Sequence, residues 1–514
     1  MATPQFVNSV MAGRTTDSTA GRRKMATPQF VNSREIAKRV WVEGTLELLR
    51  PARFGGGDAD DLLDMPLLLD AVEQRALLTG ASIAGALRNY LRAREVGDGR
   101  KEGSDSLCVA LFGREQGAKE GPHSVLLTHD ALSETPGRPA TELRDGVAID
   151  PRTRTAEDKK KFDIELLEAG TRFGLRFELL LPKNPEEQQR LLLALAIALQ
   201  GFERGEIGLG ARKRRGFGQC RIAGGWTVVQ YDLLGRRSDL IAWLKHERPN
   251  PQTGNDIAAL LGVSPEQANL DRRNRLTLRA TFTLEGSLLI RSSGGDLNAP
   301  DYVHLRSRRN GKKVPVLSGT SLAGALRARA LRIANTLRPD AHEANWKLVD
   351  ELFGVRHTGE EQQNRNGRCA LTASRLIVHE AEVQHGVADR VQNRVKIDRF
   401  TGGAYPTALF SEQPIFAKQD TQVTICLEVL GATNADVGLL LLLLRDLWTG
   451  DLPLGGEISV GRGRLRGQSA ALALGDKTWT LTDQGGKLVL DEPDRSLGEL
   501  EAFVGAFNEK MKEI

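Results

Sequence analysis

The peptide LTGASIAGALRNYLR at 78–92 returns, with no internal insertion, as LSGTSLAGALRARALR at 317–332. Gly80 answers to Gly319, Ser82 to Ser321, Gly85 to Gly324 and Arg88 to Arg327. A helix-length peptide that opens on Gly and Ser, carries Gly-Ala in its middle and closes on arginines is a poor candidate for chance recurrence. Duplication is therefore the strongest constraint on the fold. Whatever architecture one half adopts, the other must adopt as well.

The two copies align along their length. Each opens on a run of β-formers, RVWVEGTLELL (39–49) and LTLRATFTLEGSLLI (276–290), and enters a Gly-Asp loop, RFGGGDADDLLDMP (53–66) and RSSGGDLNAPDYV (291–303). The helical peptide follows, then ALFG (110–113) or ELFG (351–354), then GVAIDPRTRT (146–155) or RVKIDRFTGG (394–403). Each closes on an L-G-x5-G-x-G loop, LGARKRRGFG (209–218) and LGGEISVGRG (454–463). The expected organisation is an N-terminal 1–35, a first α+β domain 36–226, a Pro/Asn-rich connector 227–275, a second domain 276–490 and a C-terminal helix 491–514. Within the first segment MATPQFVNS occurs at 1–9 and again at 25–33, so Met25 reads as the native start and 1–24 as added or upstream sequence.

With 514 residues, 40% hydrophobic and 27% charged, the chain can build two sizeable cores. The net charge of +5 is mild, but it is concentrated in ARKRRG (211–216), DRRNR (271–275), HLRSRRNGKK (304–313) and EDKKK (157–161). Such clusters beside glycine-rich turns point to a polyanion more than to a generic solvated face. The four cysteines lie far apart, which suggests neither a disulfide framework nor a zinc site. LLLALAIAL (191–199) and GLLLLLL (438–444) are shorter than the roughly 20 residues of a membrane span and read as core helices. No membrane partner is expected, and the cytoplasm is the expected location.

The closing loops are not dinucleotide loops, because each follows a helix and runs into a strand, the reverse of that motif's order. No Gly-Lys-Ser/Thr ends them, so no nucleotide cofactor is expected. Glycines that allow positive φ let backbone N–H groups approach phosphates, and neighbouring cations supply charge. The candidate RNA-binding set is Ser82, Arg88, Arg212, Lys213, Arg214, Arg215, Gly216 and Gly218 in the first copy. In the second it is Ser321, Arg327, Gly461, Arg462, Gly463 and Arg464. Ser82 and Ser321 are expected to cap helices whose N-termini favour anions. The competing reading is that the small residues only permit tight helix–sheet packing.

The order G-x-S-x-x-G-A-L-R, then I-D-R-x-T-G, then G-x-G resembles the RAMP superfamily of CRISPR proteins, and is most similar to tandem backbone subunits of type III effector complexes, of the type III-D kind. The resemblance covers about 36–226 and 276–470. It implies two ferredoxin-like, RRM-like domains with β-hairpin thumb insertions, guide RNA and complementary target RNA as ligands, and other CRISPR effector subunits as partners. It also implies a target-cutting aspartate after the first glycine loop: Asp64 of LDMP and Asp301 of PDYV, where no proline follows. The stretches 151–166 and 399–412 match the thumb, with Phe162 and Leu409 or Phe410 as candidate wedges.

RNA supplies its own nucleophile, so a protein that splays the strand needs one acid, base or ion besides. Mg²⁺ stays open as a cofactor, since it keeps waters and borrows phosphate ligands. Asp58, Asp60, Asp61 and Asp64 crowd one loop and could equally form Asx-turns. His304 and His357 read as surface residues. Two functions remain: a guide-bound endoribonuclease with one cut per domain, or a non-catalytic RNA-binding scaffold. A standalone guide-processing nuclease is weaker, for want of a His/Tyr/Lys constellation.

Overall fold

The computed structural model describes residues 35–55, 66–114, 123–150, 153, 155–292, 299–355, 372–491 and 493–513. The first half contains β1 (Lys38–Leu48), α1 (Gly80–Val96), α2 (Leu107–Phe112), β2 (Leu126–Thr128), β3 (Thr141–Ile149), β4 (Ala156–Leu167), β5 (Arg172–Leu181), α3 (Pro185–Glu203) and β6 (Cys220–Asp232). The connector adds α4 (Arg237–Leu244) and β7 (Gln252–Gly254). The second half begins with β8 (Arg275–Glu285), β9 (Arg306–Arg309), β10 (Lys312–Leu317), α5 (Gly319–Leu337), α6 (His342–Phe353), β11 (Leu376–Val378) and β12 (Ala381–Gln384). It continues through β13 (Gln392–Ile397), β14 (Ala404–Gln413), β15 (Gln422–Leu430), α7 (Asn434–Trp448), β16 (Arg464–Leu474), β17 (Lys477–Gln484), β18 (Lys487–Leu490) and α8 (Pro493–Glu513).

Strand alternation sets the layers. On β1, Val40, Val42, Leu46 and Leu48 enter the first core, while Arg39, Trp41 and Glu43 point to the opposite face. The first sheet runs β2-β5-β1-β6-β7 and the second β9-β10-β12-β15-β8-β16-β17-β18, with β11 also on β15. In each, the strand that opens the copy lies between the strand before the leucine-rich helix and the strand after the glycine loop, all antiparallel. Both central ladders carry a bulge, between Gly44 and Thr45 in the first and, one residue further along, between Thr281 and Phe282 in the second. The architecture is α+β, two tandem ferredoxin-like domains.

The apolar runs form α3 and α7, whose Leu195, Leu199, Leu440 and Leu444 are core residues. Among the described residues no helix is long and apolar enough to cross a membrane. The connector is less of a spacer than its composition suggests. β6 runs into it as far as Asp232, β7 extends the first sheet, and Ile257, Ala258 and Leu261 belong to the first core. The C-terminal helix likewise joins the second core through Phe507 and Met511, and the backbone of Phe503 lies against Gly438 of α7.

Two hairpins project from the sheets, β3–β4 and β13–β14. The Ile-Asp pairs, expected at the base of a thumb, occupy its tip: Asp150 N–H bonds the Thr155 carbonyl (2.9 Å) and Asp398 N–H that of Gly403 (2.8 Å). The hairpins therefore start earlier than 151 and 399. His304 also differs from expectation. It is buried, its Nδ1 meets Ile290 N–H (3.2 Å), its Nε2 lies 3.1 Å from the Val316 carbonyl, and burial pushes the ring down to about 4. It is a neutral core residue. His357 lies outside the described residues.

Candidate nucleic-acid interface

The two L-G-x5-G-x-G loops have one backbone. Leu209 N–H bonds Gly218 C=O and Leu454 N–H bonds Gly463 C=O, both at 2.9 Å. A 3-10 turn fills each loop, Lys213–Arg215 and Ile458–Val460, bracketed by left-handed residues: Arg212 (φ 55°) and Gly216 (85°), Glu457 (59°) and Gly461 (90°). A Cβ on Gly218 or Gly463 would lie 1.8 Å from the carbonyl oxygen of Leu209 or Leu454, so these two positions require glycine.

The surroundings of the two loops differ. The first lies against the second copy. Arg215 Nη2 donates to the Phe353 carbonyl (3.1 Å), Arg214 Nη1 to that of Ser374, and a Cβ on Gly216 would sit 2.5 Å from Glu380 N. Burial, with Arg327, Arg214 and Arg212 near by, pushes the Arg215 guanidinium down to about 10. Arg214 and Arg215, expected to meet RNA, thus face the joint between the copies. Arg212, over the Phe162 ring at 4.5 Å, and Lys213 remain exposed. A Cβ on Gly461 would meet nothing within 4 Å.

Beside this contact, Glu380 is fully buried. Arg144 of β3 donates to it at 2.6 and 3.3 Å, Arg309 also pairs with it, and Glu142 accepts from Arg144 (2.6 Å) and from Ser307 Oγ (3.0 Å). A thumb strand of one copy is thereby tied to the sheet edge of the other.

In the second copy Arg462, expected to bind RNA, is buried instead. It donates to Gln392 Oε1 (2.7 Å) and Glu412 Oε2 (3.1 Å), with Glu457 at 3.0 Å. Arg394 joins Glu412 and Glu457 at 3.1 and 3.0 Å. Burial and then the neighbouring Glu457 push the Glu412 carboxyl up, against the pull of these arginines. Arg464 is exposed.

The helix starts depart from expectation in one detail. The N-caps are Thr79 and Ser318, whose hydroxyls accept from Ser82 N–H (3.3 Å) and Ser321 N–H (3.2 Å). Ser82 and Ser321 stand one turn in. Gly80 is required by close approach, since its Cβ would fall 2.3 Å from the Thr128 carbonyl, and Gly319 likewise from that of Arg215. Gly85 and Gly324 are the opposite: both are exposed and a Cβ would touch nothing, so tight packing does not explain them. They open a bare strip, Ser82–Gly85–Asn89 on α1 and Gly324–Ala328–Arg332 on α5. Arg88 pairs with Glu102, and Arg327 with Asp350 and the Gly354 carbonyl (2.8 Å), so both tie down the following segment.

Asp64 lies outside the described residues. Asp301 is exposed at the foot of the second thumb. Its Oδ2 accepts from Ser411 N–H (2.8 Å) and Ser411 Oγ (3.0 Å) on β14. These bonds hold its carboxyl below the usual range, so it is ionised at neutral pH. Among the described residues no three His, Cys, Asp or Glu side chains are grouped to hold a metal. Glu412 and Glu457 near by are engaged by arginines.

Of the wedge candidates, Phe162 packs with Ile164, Leu166 and Phe217, whereas Leu409 is exposed and Phe410 half-buried. The most exposed large apolar residue of the described hairpins is Phe400, 95% accessible at the tip, which sequence reasoning passed over. Its signal was present: an aromatic inside the Asp-Arg-Phe-Thr-Gly-Gly turn, where polar residues are the rule.

No curated protein matches the chain. A family model, the RAMP superfamily, matches residues 45–221 and 281–466, one match per copy and together more than half the sequence. With the same 3-10 turn between left-handed residues in both glycine loops, the chain belongs to the RAMP superfamily, twice over.

Proposed function

We propose that the chain is a guide-RNA-binding backbone subunit of a type III CRISPR effector complex, and that within the assembled complex it cuts complementary target RNA once per copy. RNA binding in a CRISPR setting is what RAMP membership implies in general. Target cleavage is the finer claim. The observation that carries it is Asp301, an exposed, ionised carboxylate fixed by Ser411 at the root of a projecting hairpin. Asp64 is its proposed counterpart.

In the proposed reaction the hairpin splays the target strand beside Asp301. The 2′-oxygen then attacks the adjacent phosphorus in line, and the P–O5′ bond breaks. A 2′,3′-cyclic phosphate forms, the 2′-OH proton passes to solvent water, and the 5′-oxygen leaves as a hydroxyl after taking up a proton from water. Asp301 is already ionised and is a weak base, so its share is to orient the 2′-OH as hydrogen-bond acceptor. Positioning supplies most of the acceleration. The bare helical strips with Arg212, Lys213 and Arg464 are the proposed path of the RNA backbone.

Cleavage mapping with an assembled, guide-loaded complex tests this. Asp301→Ala should remove one product, Asp64→Ala the other, and target binding should persist in both. A double variant that still cuts both positions at the normal rate overturns the enzyme reading and leaves a scaffold.

A further inference from the structure

The face of the first sheet turned away from its core carries a concavity of about 530 Å³ that the RNA reading above does not use. It belongs to the size range of small-ligand sites. Trp41 and Arg176 form its floor on β1 and β5, Tyr231 one wall on β6, and Trp243 with His246 and Arg248 its roof, from α4 and the turn after it. Val229, Tyr231 and Ala242 form an apolar cluster of their own here, separate from the main core.

Three observations indicate what it takes. First, the walls are flat and layered: Arg176 lies over the Trp41 ring at 4.0 Å, Arg39 over that of Trp243 at 4.6 Å, and His129 is stacked beside Trp41. Aromatic rings and guanidinium planes on an open sheet face are platforms for nucleobases. Second, the indole N–H of Trp41, beside the concavity, is buried with no hydrogen-bond partner among the described residues, an unsatisfied donor in its floor. Third, the cations outnumber the anions. Arg39 has Glu178, but among the described residues Arg176 (3.4 Å) and Arg248 (2.7 Å) share Glu43, which leaves positive charge for a phosphate.

The second copy lacks the aromatic floor. The backbone bonds Leu48 N–H to Thr171 and Leu284 N–H to Thr421 set the two sheets in register, and there Thr277, opposite Ala473, replaces Trp41, opposite Val229. The feature belongs to the first copy and to the connector that covers it.

We propose that this concavity binds one ribonucleotide, its base against the Trp41–Trp243 walls and its phosphate toward Arg176 and Arg248. The nucleotide could be free or the unpaired end of an RNA strand, the chemistry being shared. The proposal does not depend on target cleavage.

The test is calorimetric titration of the full chain with each of the four ribonucleoside 5′-monophosphates, with inorganic phosphate and with pentauridylate. Saturable binding of a monophosphate at one site per chain is expected, weakened at least tenfold by Trp243→Ala and by Arg248→Ala. Arg248 is exposed, so its variant should fold, and circular dichroism would verify both. Pentauridylate binding more tightly than UMP, with an affinity that Trp243→Ala lowers, assigns the site to a strand, and the reverse to a free nucleotide. The proposal is overturned if no monophosphate binds, if inorganic phosphate binds equally well, or if neither substitution changes the affinity. It also fails if an acidic pentapeptide binds there in a Trp243-dependent way and nucleotides do not.

Discussion

Arg462 and Phe217 hold the same position, between the last two glycines of their loops, and Glu412 and Ile164 the same position on the thumb strands that pack against them. One copy closes the space with an apolar pair, the other with an ion pair. Removing one partner of a buried pair strands a charge, at a cost of about 3 kcal/mol or more, whereas apolar replacement of both is often neutral. Glu412→Ile should therefore lower the denaturation midpoint strongly, and adding Arg462→Phe should restore most of the loss. A double variant no more stable than the single one would show that Arg462 is held by Gln392 and Glu457 instead. The sequence could not reveal this exchange. Arg462 read as a cation beside a glycine loop, which suits RNA as well as a carboxylate, and its partner is 50 residues away along the chain.

At the scale of elements the glycine loops were the most legible feature, because positive φ leaves a mark in composition. Their surroundings were not legible, since a loop motif specifies its own backbone and not what lies across from it. Hence the ARKRRG run was read as an RNA grip, although two of its four cations bond carbonyls of the second copy. Alanine substitution separates the two situations. Gly461→Ala should cost about 1 kcal/mol for its left-handed backbone alone. Gly216→Ala bears that cost and also drives a methyl against Glu380 N, so its loss measured by chemical denaturation should be clearly larger. Equal losses would mean the joint yields freely. The thumbs were legible as hairpins but misplaced along the chain, because Ile-Asp marks a turn as readily as a strand entry.

For the molecule as a whole, the joint around Glu380 governs behaviour in acid. Burial opposes ionisation of this carboxyl, yet Arg144 and Arg309 outweigh it and hold its pKa below the ordinary carboxylate value of about 4. A folded pKa below the unfolded one means that the stabilisation is present at neutral pH and fades as pH falls through the folded value. Melting temperatures followed from neutrality into acid should thus decline less steeply for Glu380→Gln than for the unaltered chain, from a lower starting point. Parallel curves would locate the acid sensitivity elsewhere. The two halves being one polypeptide has a further effect. Separate subunits presenting these faces would part on dilution, whereas a covalent connection, with much of the connector folded onto the first copy, sets a local concentration on the order of millimolar or above that no dilution changes. The interval between the two hairpins is thereby a property of the gene product and not of its abundance.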